Sequence, residues 1–367
     1  MQTNNAPEKS NELPQELKSQ IASEGPISIS KYMEAVTRSY YERPHVFGRR
    51  GDFITSPEIS QIFGELIGLW AITTWTQLGR PVRFSLIELG PGRGTLLADA
   101  LRAISQICPD FIKAASIILV ENSKTLRCLQ KETLSEYDLD WQKNLATIPY
   151  GPTIILANEF VDAFPINQYQ KLRGAWHERL VDYKAGEFIY RLSEKPCKKL
   201  KTCFLNAAEG SILEQSDHIE QLIEKISLLC IHQPGVALII DYGYSQKSPG
   251  DSLQAIKRHR YHPVLKMPGT ADITSHVDFS LIRRIANTLG AVAYGPVEQG
   301  LWLKRLGIKT RESQLSKNKE TGAVDTIKNA VNKLVNPSEM GDLFKVITLT
   351  TPNITHLDGF STKDRKC

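Results

Sequence analysis

A chain of 367 residues with 41% apolar content is long enough for one large domain with an insertion, or for two modest domains, and it can bury a proper core. Its formal charge of +5 comes from 45 basic and 40 acidic residues, too even a balance to indicate a nucleic-acid binder, and no apolar run is long enough to span a membrane. Six cysteines lie scattered without a CxxC pair, so neither a metal site nor a disulfide frame is expected and the thiols read as reduced.

Residues 1–17 are polar and contain acids, and they lack both an apolar export core and an arginine-rich amphipathic pattern. Residues 1–24 are expected to form a disordered tail of a protein of the bacterial cytoplasm. Residues 25–80 read as a helical region. Ser28 is placed to cap a helix whose apolar face is Ile29, Tyr32, Met33, Val36 and Tyr40 and which ends before Pro44. Next comes Gly51-Asp52-Phe53-Ile54-Thr55-Ser56-Pro57-Glu58. Thr55 with Glu58 fits a capping box, or Ser56 caps with Pro57 in the first turn. The helix so opened has the apolar face Ile59, Ile62, Phe63, Leu66, Ile67 and Trp70, and Gly64 and Gly68, one turn apart, permit close packing. A helix start alone explains this stretch. The functional reading is that it borders a cofactor, with Thr55 and Ser56 as candidate contacts.

Phe84 to Leu89 is a short apolar run typical of a buried strand, and it leads into Gly90-Pro91-Gly92-Arg93-Gly94 and then a helix opened by Gly94 or Thr95. Glycines without Cβ let the turn take positive φ and bring a ligand against bare main chain, while the helix N–H groups favour electron-rich atoms. Three spaced glycines alone also fit a plain turn or a dinucleotide site. The next strand, Ser116 to Val120, ends at Glu121, a carboxylate able to hold both hydroxyls of a ribose. Glu88 at the first strand tip would repel a pyrophosphate but attract an amino group and a sulfonium cation. The ligand with those features is S-adenosyl-L-methionine. Its candidate contacts are Glu88, Gly90, Pro91, Gly92, Gly94, Thr95, Glu121, Asn122 and Asn158.

Asn122 is expected to cap a helix running through Leu134, and a third strand is expected around Leu145 to Ile148. The fourth strand, Thr153 to Ala157, discharges into Asn158-Glu159-Phe160-Val161-Asp162-Ala163-Phe164-Pro165. In an open parallel sheet ligands lie beyond the strands' carboxyl ends, so Glu159 and Asp162 are expected to overlook the transferable methyl. Residues 166–211 alternate in short pieces, with a hairpin around Ala185-Gly186, and read as an inserted subdomain on the substrate side. A long helix from Ile212 to Ile231 leads to a buried strand, Gly235 to Ile240. The polar loop Ser245 to Thr270 holds His259 and His262 and is long enough to be a lid or partner-binding loop. Asp278 is placed to cap a helix to Leu289, and Ala291 to Tyr294 with Gly300 to Arg305 read as a final antiparallel pair. Residues 81–165 and 212–307 thus form an α/β core, and residues 308–367 add a helix stopped by Pro337 and an apolar Leu343 to Leu349.

GDFITSPEISQIFGELIG, ELGPGRGTL, LANEFVDAFPINQ and GTADITSHVDF together resemble the MidA family from about Gly25 to the end of the chain. That resemblance implies a Rossmann-like, seven-stranded class I methyltransferase with helical N-terminal additions. From the family's mitochondrial members it further implies symmetric dimethylation of an arginine in a core subunit of respiratory complex I, in aid of assembly. Gly90, Gly92 and Gly94 match the family's cofactor loop, Glu121 its ribose-binding acid, and Asn158 to Pro165 the motif lining the reaction site.

For such an acceptor, Glu159 is the expected guanidinium clamp, with Asp162 supporting it and passing the proton on. Asp272 and His276 are the second candidates, His276 as proton acceptor because an imidazole titrates near neutrality. A small-molecule or nucleic-acid methyltransferase is the first alternative, although strand four lacks an Asn-Pro-Pro-aromatic signature. A non-catalytic assembly chaperone that retains the pocket is the second. The expected partner is a protein substrate, with no nucleic acid and no membrane insertion.

Overall fold

The computed structural model describes residues 12–43, 55–198, 200 and 204–366, so residues 51–54 of the GDFITSPE stretch and the stop at Pro44 lie outside the described residues. The chain divides into two units. One comprises Met1–Phe53, Ala163–Ile219 and Ser248–Ser275; the other comprises Ile54–Asp162, Glu220–Lys247 and His276–Cys367.

The larger unit is built on a sheet of β1 (Phe84–Leu89), β2 (Ala115–Val120), β3 (Leu139–Gln142), β4 (Thr153–Asn158), β5 (Gly235–Tyr244), β6 (Val292–Glu298) and β7 (Phe344–Thr350). Their order is β3-β2-β1-β4-β5-β7-β6, and β7 runs antiparallel to both its neighbours. Two-residue strands, Val277–Asp278 and Arg365–Lys366, add to β5 and β6. This is the class I methyltransferase arrangement that the resemblance implied. β1 is buried at every residue and β4 at all but its last, as expected of parallel strands covered on both faces. The register is what positions the site. Leu89 lies opposite Val120 and Ala157, and Ile240 lies opposite Asn158. The chain therefore leaves β1, β2 and β4 at one level, delivering Gly90, Glu121 and Glu159 to the same end as Asp241 within β5, where the strand order reverses.

Helix Gln61–Gln77 is buried along almost its whole circumference and lies against Thr95–Ile107. At Gly68 the approach leaves no room for a side chain, since a Cβ there would stand 2.7 Å from the Ala100 carbonyl oxygen. Ser60, extended at φ −156° and ψ 130°, separates this helix from a single turn at Ser56–Ile59, and its Oγ accepts the Ile62 N–H at 3.3 Å. The one continuous helix expected here is thus two.

Three further expectations change. The third strand is Leu139–Gln142, an edge strand whose partly exposed LDWQ lacks an apolar run, whereas Leu145–Thr147 is a single 3-10 turn. The partner of β6 is β7, mostly buried along FKVITLT, while residues 300–305 lie in the helix Gln299–Arg305 with Trp302 and Leu303 inward and Leu301 outward. The long helix begins only at Asp217, because Ser216 Oγ accepts the Ile219 N–H at 3.1 Å and Ile212–Gln215 is a strand.

In the smaller unit the helix Ile29–Tyr41 is capped by Ser28, whose Oγ accepts the Lys31 N–H at 3.2 Å, and all five residues of its expected apolar face are buried. Part of the expected disordered tail is a helix, Leu13–Glu24, with Leu13, Leu17 and Ile21 buried at successive turns. An antiparallel sheet joins Ile27–Ser28, Ala175–Lys184, Asn167–Leu172 and Ile212–Gln215, and Glu187–Leu192 returns on Ala175–Lys184 through Ala185 and Gly186 at φ 52° and 91°. Positive φ at both turn residues is what a two-residue hairpin needs. A three-stranded sheet, Arg260–His262, Gln254–Lys257 and Asp272–Thr274, occupies part of the loop expected to be irregular. No helix among the described residues is long and apolar enough to cross a membrane.

Candidate active site

At the carboxyl end of β1 the chain turns through Gly90, Gly92 and Gly94 with φ of 59°, 55° and 83°, and Thr95 starts the helix. The Gly90 N–H bonds to the Val120 carbonyl at 3.0 Å, locking the turn against β2. A Cβ on Gly90 would lie 2.5 Å from the Phe160 ring. Gly90→Ala therefore meets both a strained φ and a clash, and calorimetry is expected to show loss of cofactor binding together with destabilisation of about 1–3 kcal/mol.

Glu88 is only 3% exposed, and its Oε2 has no hydrogen-bond partner among the described residues. Burial alone raises its carboxyl to about 8. An unpaired acid beside bare main chain fits a ligand that carries cationic groups, such as the amino and sulfonium centres of S-adenosyl-L-methionine. Glu121, at the end of β2, is raised by burial, while the Ser123 N–H (2.7 Å) and Gln130 Nε2 (3.4 Å) favour its ionised form. Gln130 Nε2 also donates to the Gly92 carbonyl at 2.8 Å, and its Oε1 accepts from the Trp141 indole at 2.9 Å. This buried glutamine thus ties the glycine turn to Glu121. Sequence reasoning missed it, because a glutamine on an amphipathic helix reads as a surface residue. Ser123, not Asn122, caps that helix, its Oγ accepting the Leu126 N–H at 3.3 Å; Asn122 is exposed.

Beyond β4, Glu159 stands in the left-handed region at φ 49°, with its N–H bonded to the Ile240 carbonyl at 2.9 Å. Glu159 Oε1 accepts the Ser56 N–H at 2.7 Å and Asn158 Nδ2 at 3.2 Å. The cap of the Ser56–Ile59 turn is therefore supplied from β4, and Thr55 makes no side-chain cap bond. Nor does the Thr55–Glu58 capping box form: Glu58 Oε1 instead accepts from Thr95 Oγ1 at 2.8 Å, joining this turn to the glycine-loop helix. Burial is the largest cause raising the Glu159 carboxyl, to about 7; the Ser56 N–H opposes it and the Asp162 charge adds to it. Asn158 Oδ1 is buried without a partner among the described residues.

Asp241, fully buried, organises this loop. Its Oδ2 accepts the N–H groups of Phe160, Val161 and Asp162 at 3.2, 2.9 and 3.1 Å, and its Oδ1 accepts that of Tyr242 at 2.9 Å. Burial first, then the Asp162 and Glu159 charges, raise its carboxyl, and the backbone donors favour the ionised form. Tyr242 donates its hydroxyl to Asp162 Oδ2 at 2.6 Å and meets the His276 ring edge-on at 5.5 Å. Burial lowers the His276 imidazole, favouring its neutral form. Asp162 and His276 are thus brought onto one tyrosine. Asp272 belongs to the smaller unit, on the Asp272–Thr274 strand, where the Tyr41 hydroxyl donates to its Oδ1 at 3.3 Å.

The chain matches the model of a family of S-adenosyl-L-methionine-dependent methyltransferases over residues 66–297. It is 36% identical to the mitochondrial protein arginine methyltransferase NDUFAF7 homolog of Drosophila melanogaster, over 95% of this chain and 87% of that protein. With mitochondrial NDUFAF7 of Mus musculus it shares 37% identity over 94% of this chain and 86% of the relative. A crystal structure of a Burkholderia thailandensis protein bound to S-adenosyl-homocysteine superposes with a TM-score of 0.82 at 27% identity, covering 97% of this chain and 96% of the other. The animal relatives are named as mitochondrial, which overturns the bacterial cytoplasmic compartment expected from residues 1–17.

Proposed function

We propose, since the chain belongs to the MidA family of S-adenosyl-L-methionine-dependent methyltransferases, that its methyl acceptor is an arginine side chain of a core subunit of respiratory complex I, dimethylated symmetrically. The observation that carries the arginine reading is Glu159, a carboxylate with one oxygen fixed by Ser56 and Asn158 at the end of β4. Relatives named as protein arginine methyltransferases support the same reading.

Bound at the glycine turn, S-adenosyl-L-methionine supplies an electrophilic methyl group on a sulfonium. Glu88 and Glu121 hold its cationic and ribose ends. The chain's remaining work is to align and neutralise the acceptor. A guanidinium has a pKa of about 12.5, so stripping its proton first at pH 7 would cost about 7 kcal/mol; proton loss must accompany or follow attack. Glu159 binds the planar fork and concentrates positive charge on one nitrogen, leaving another free to attack. Alignment of that kind gives effective molarities on the order of 10⁵ M. Asp162, held by Tyr242, and the neutral His276 beside the same tyrosine take the proton away.

The test is incubation with tritiated S-adenosyl-L-methionine and isolated complex I lacking this modification. The expected result is label in one core subunit, mapped to an arginine. Label confined to a small-molecule fraction would contradict the reading, and so would intact cofactor binding with no acceptor labelled.

A further inference from the structure

We infer that the hairpin formed by Gln254–Lys257 and Arg260–His262 is a docking surface for an acidic segment of the acceptor protein. The inference rests on the protein-acceptor reading above. Residues 252–271 contain Lys257, Arg258, Arg260 and Lys266, with His259 and His262, and no aspartate or glutamate. Two local rules are broken there. Arg258 and His259 form the two-residue turn at φ 50° and 61°, where glycine or asparagine is the unstrained choice and other residues cost about 1 kcal/mol each. Lys257 pairs directly across from Arg260, and like charges so placed destabilise a hairpin. Departures from local rules gathered at one exposed turn are a mark of functional surfaces.

The hairpin is nonetheless firmly built. Ala255 pairs with Ile273, both buried, and the Tyr32 hydroxyl donates to the Val264 carbonyl at 2.9 Å in the same unit. On this support Tyr261 is 82% exposed and Met267 55% exposed, among exposed Arg258, His259 and Arg260. Tyrosine and arginine are the anchors that protein interfaces favour, and arginine pairs bidentately with carboxylates. A single ring on a short turn, with no succession of stacking platforms, suits a peptide better than a nucleic-acid strand. The segment that forms the hairpin leaves the sheet after Tyr244 and rejoins it at Val277, which pairs with Gly243.

The full chain is tested by fluorescence anisotropy with three probes: a labelled peptide of alternating glutamate and glycine, a mixed-sequence RNA of equal charge, and vesicles of phosphatidylcholine and phosphatidylglycerol. Arg260→Glu combined with Tyr261→Ala is expected to weaken peptide binding at least about tenfold, with melting temperature and S-adenosyl-L-methionine affinity unchanged. Lys328→Glu, an exposed reversal of equal charge on another element, is expected to leave peptide binding within about twofold. Equal loss in both variants, no loss in the hairpin variant, or tighter hairpin-dependent binding of RNA or vesicles would overturn the inference. Hairpin-dependent peptide binding upholds it even if no arginine is ever labelled, an outcome that would remove only the arginine reading.

Discussion

Glu159→Gln is expected to slow methyl transfer by about 100-fold or more while leaving S-adenosyl-L-methionine affinity within about threefold. Glutamine keeps the shape and still accepts the Ser56 N–H, but it no longer offers a charge to the guanidinium fork. Such a loss corresponds to about 2.7 kcal/mol of transition-state stabilisation, a reasonable share for one charge-assisted bidentate contact. The pH profile separates this role from a structural one. With its carboxyl raised to about 7, Glu159 is protonated at pH 6 and ionised at pH 8. The wild-type rate should therefore climb as pH rises through about 7, and the glutamine variant should lose that climb. A rate unchanged by the substitution, with cofactor bound normally, would remove Glu159 from the reaction.

Glu88→Gln is expected to weaken S-adenosyl-L-methionine at least about tenfold and yet to stabilise the cofactor-free protein at pH 8, by about 2–4 °C in melting temperature. The sign follows from the carboxyl, which sits near 8 in the folded chain against an ordinary 4.5. Between those values the folded state holds a proton that the unfolded chain has released, so stability falls as pH rises from about 4.5 to about 8. Glutamine has no charge to desolvate and removes that slope. Cofactor affinity in the wild type should strengthen over the same interval as the carboxylate forms, and should be flat in the variant. Parallel loss of stability and affinity in Glu88→Gln would mean that the acid is merely packed.

The strand ends that carry the candidate cofactor residues are legible because each lies in contiguous sequence. Glu88, the three glycines and Glu121 each follow a short apolar strand, and the parallel register brings those strand ends level. What escaped was the support supplied across the fold. Gln130 and Asp241 act through bonds to main chain 38 and about 80 positions away, and no periodicity announces such contacts. The GDFITSPE stretch was read as capping itself, whereas Glu159 caps it and Glu58 turns to Thr95. Elements with weak apolar patterns were misplaced for the same reason. The edge strand Leu139–Gln142 and the Gln254–His262 hairpin are set by backbone pairing, and the hairpin's turn carries no glycine or asparagine to reveal it.

The most direct measurement is amino-acid analysis of the acceptor after labelling by wild type and by Glu159→Gln. The account predicts radioactivity recovered as symmetric dimethylarginine with the wild type, and at least about 100-fold less with the variant. Label recovered as methyl-lysine or a carboxyl ester, or equal dimethylarginine from both proteins, would contradict it.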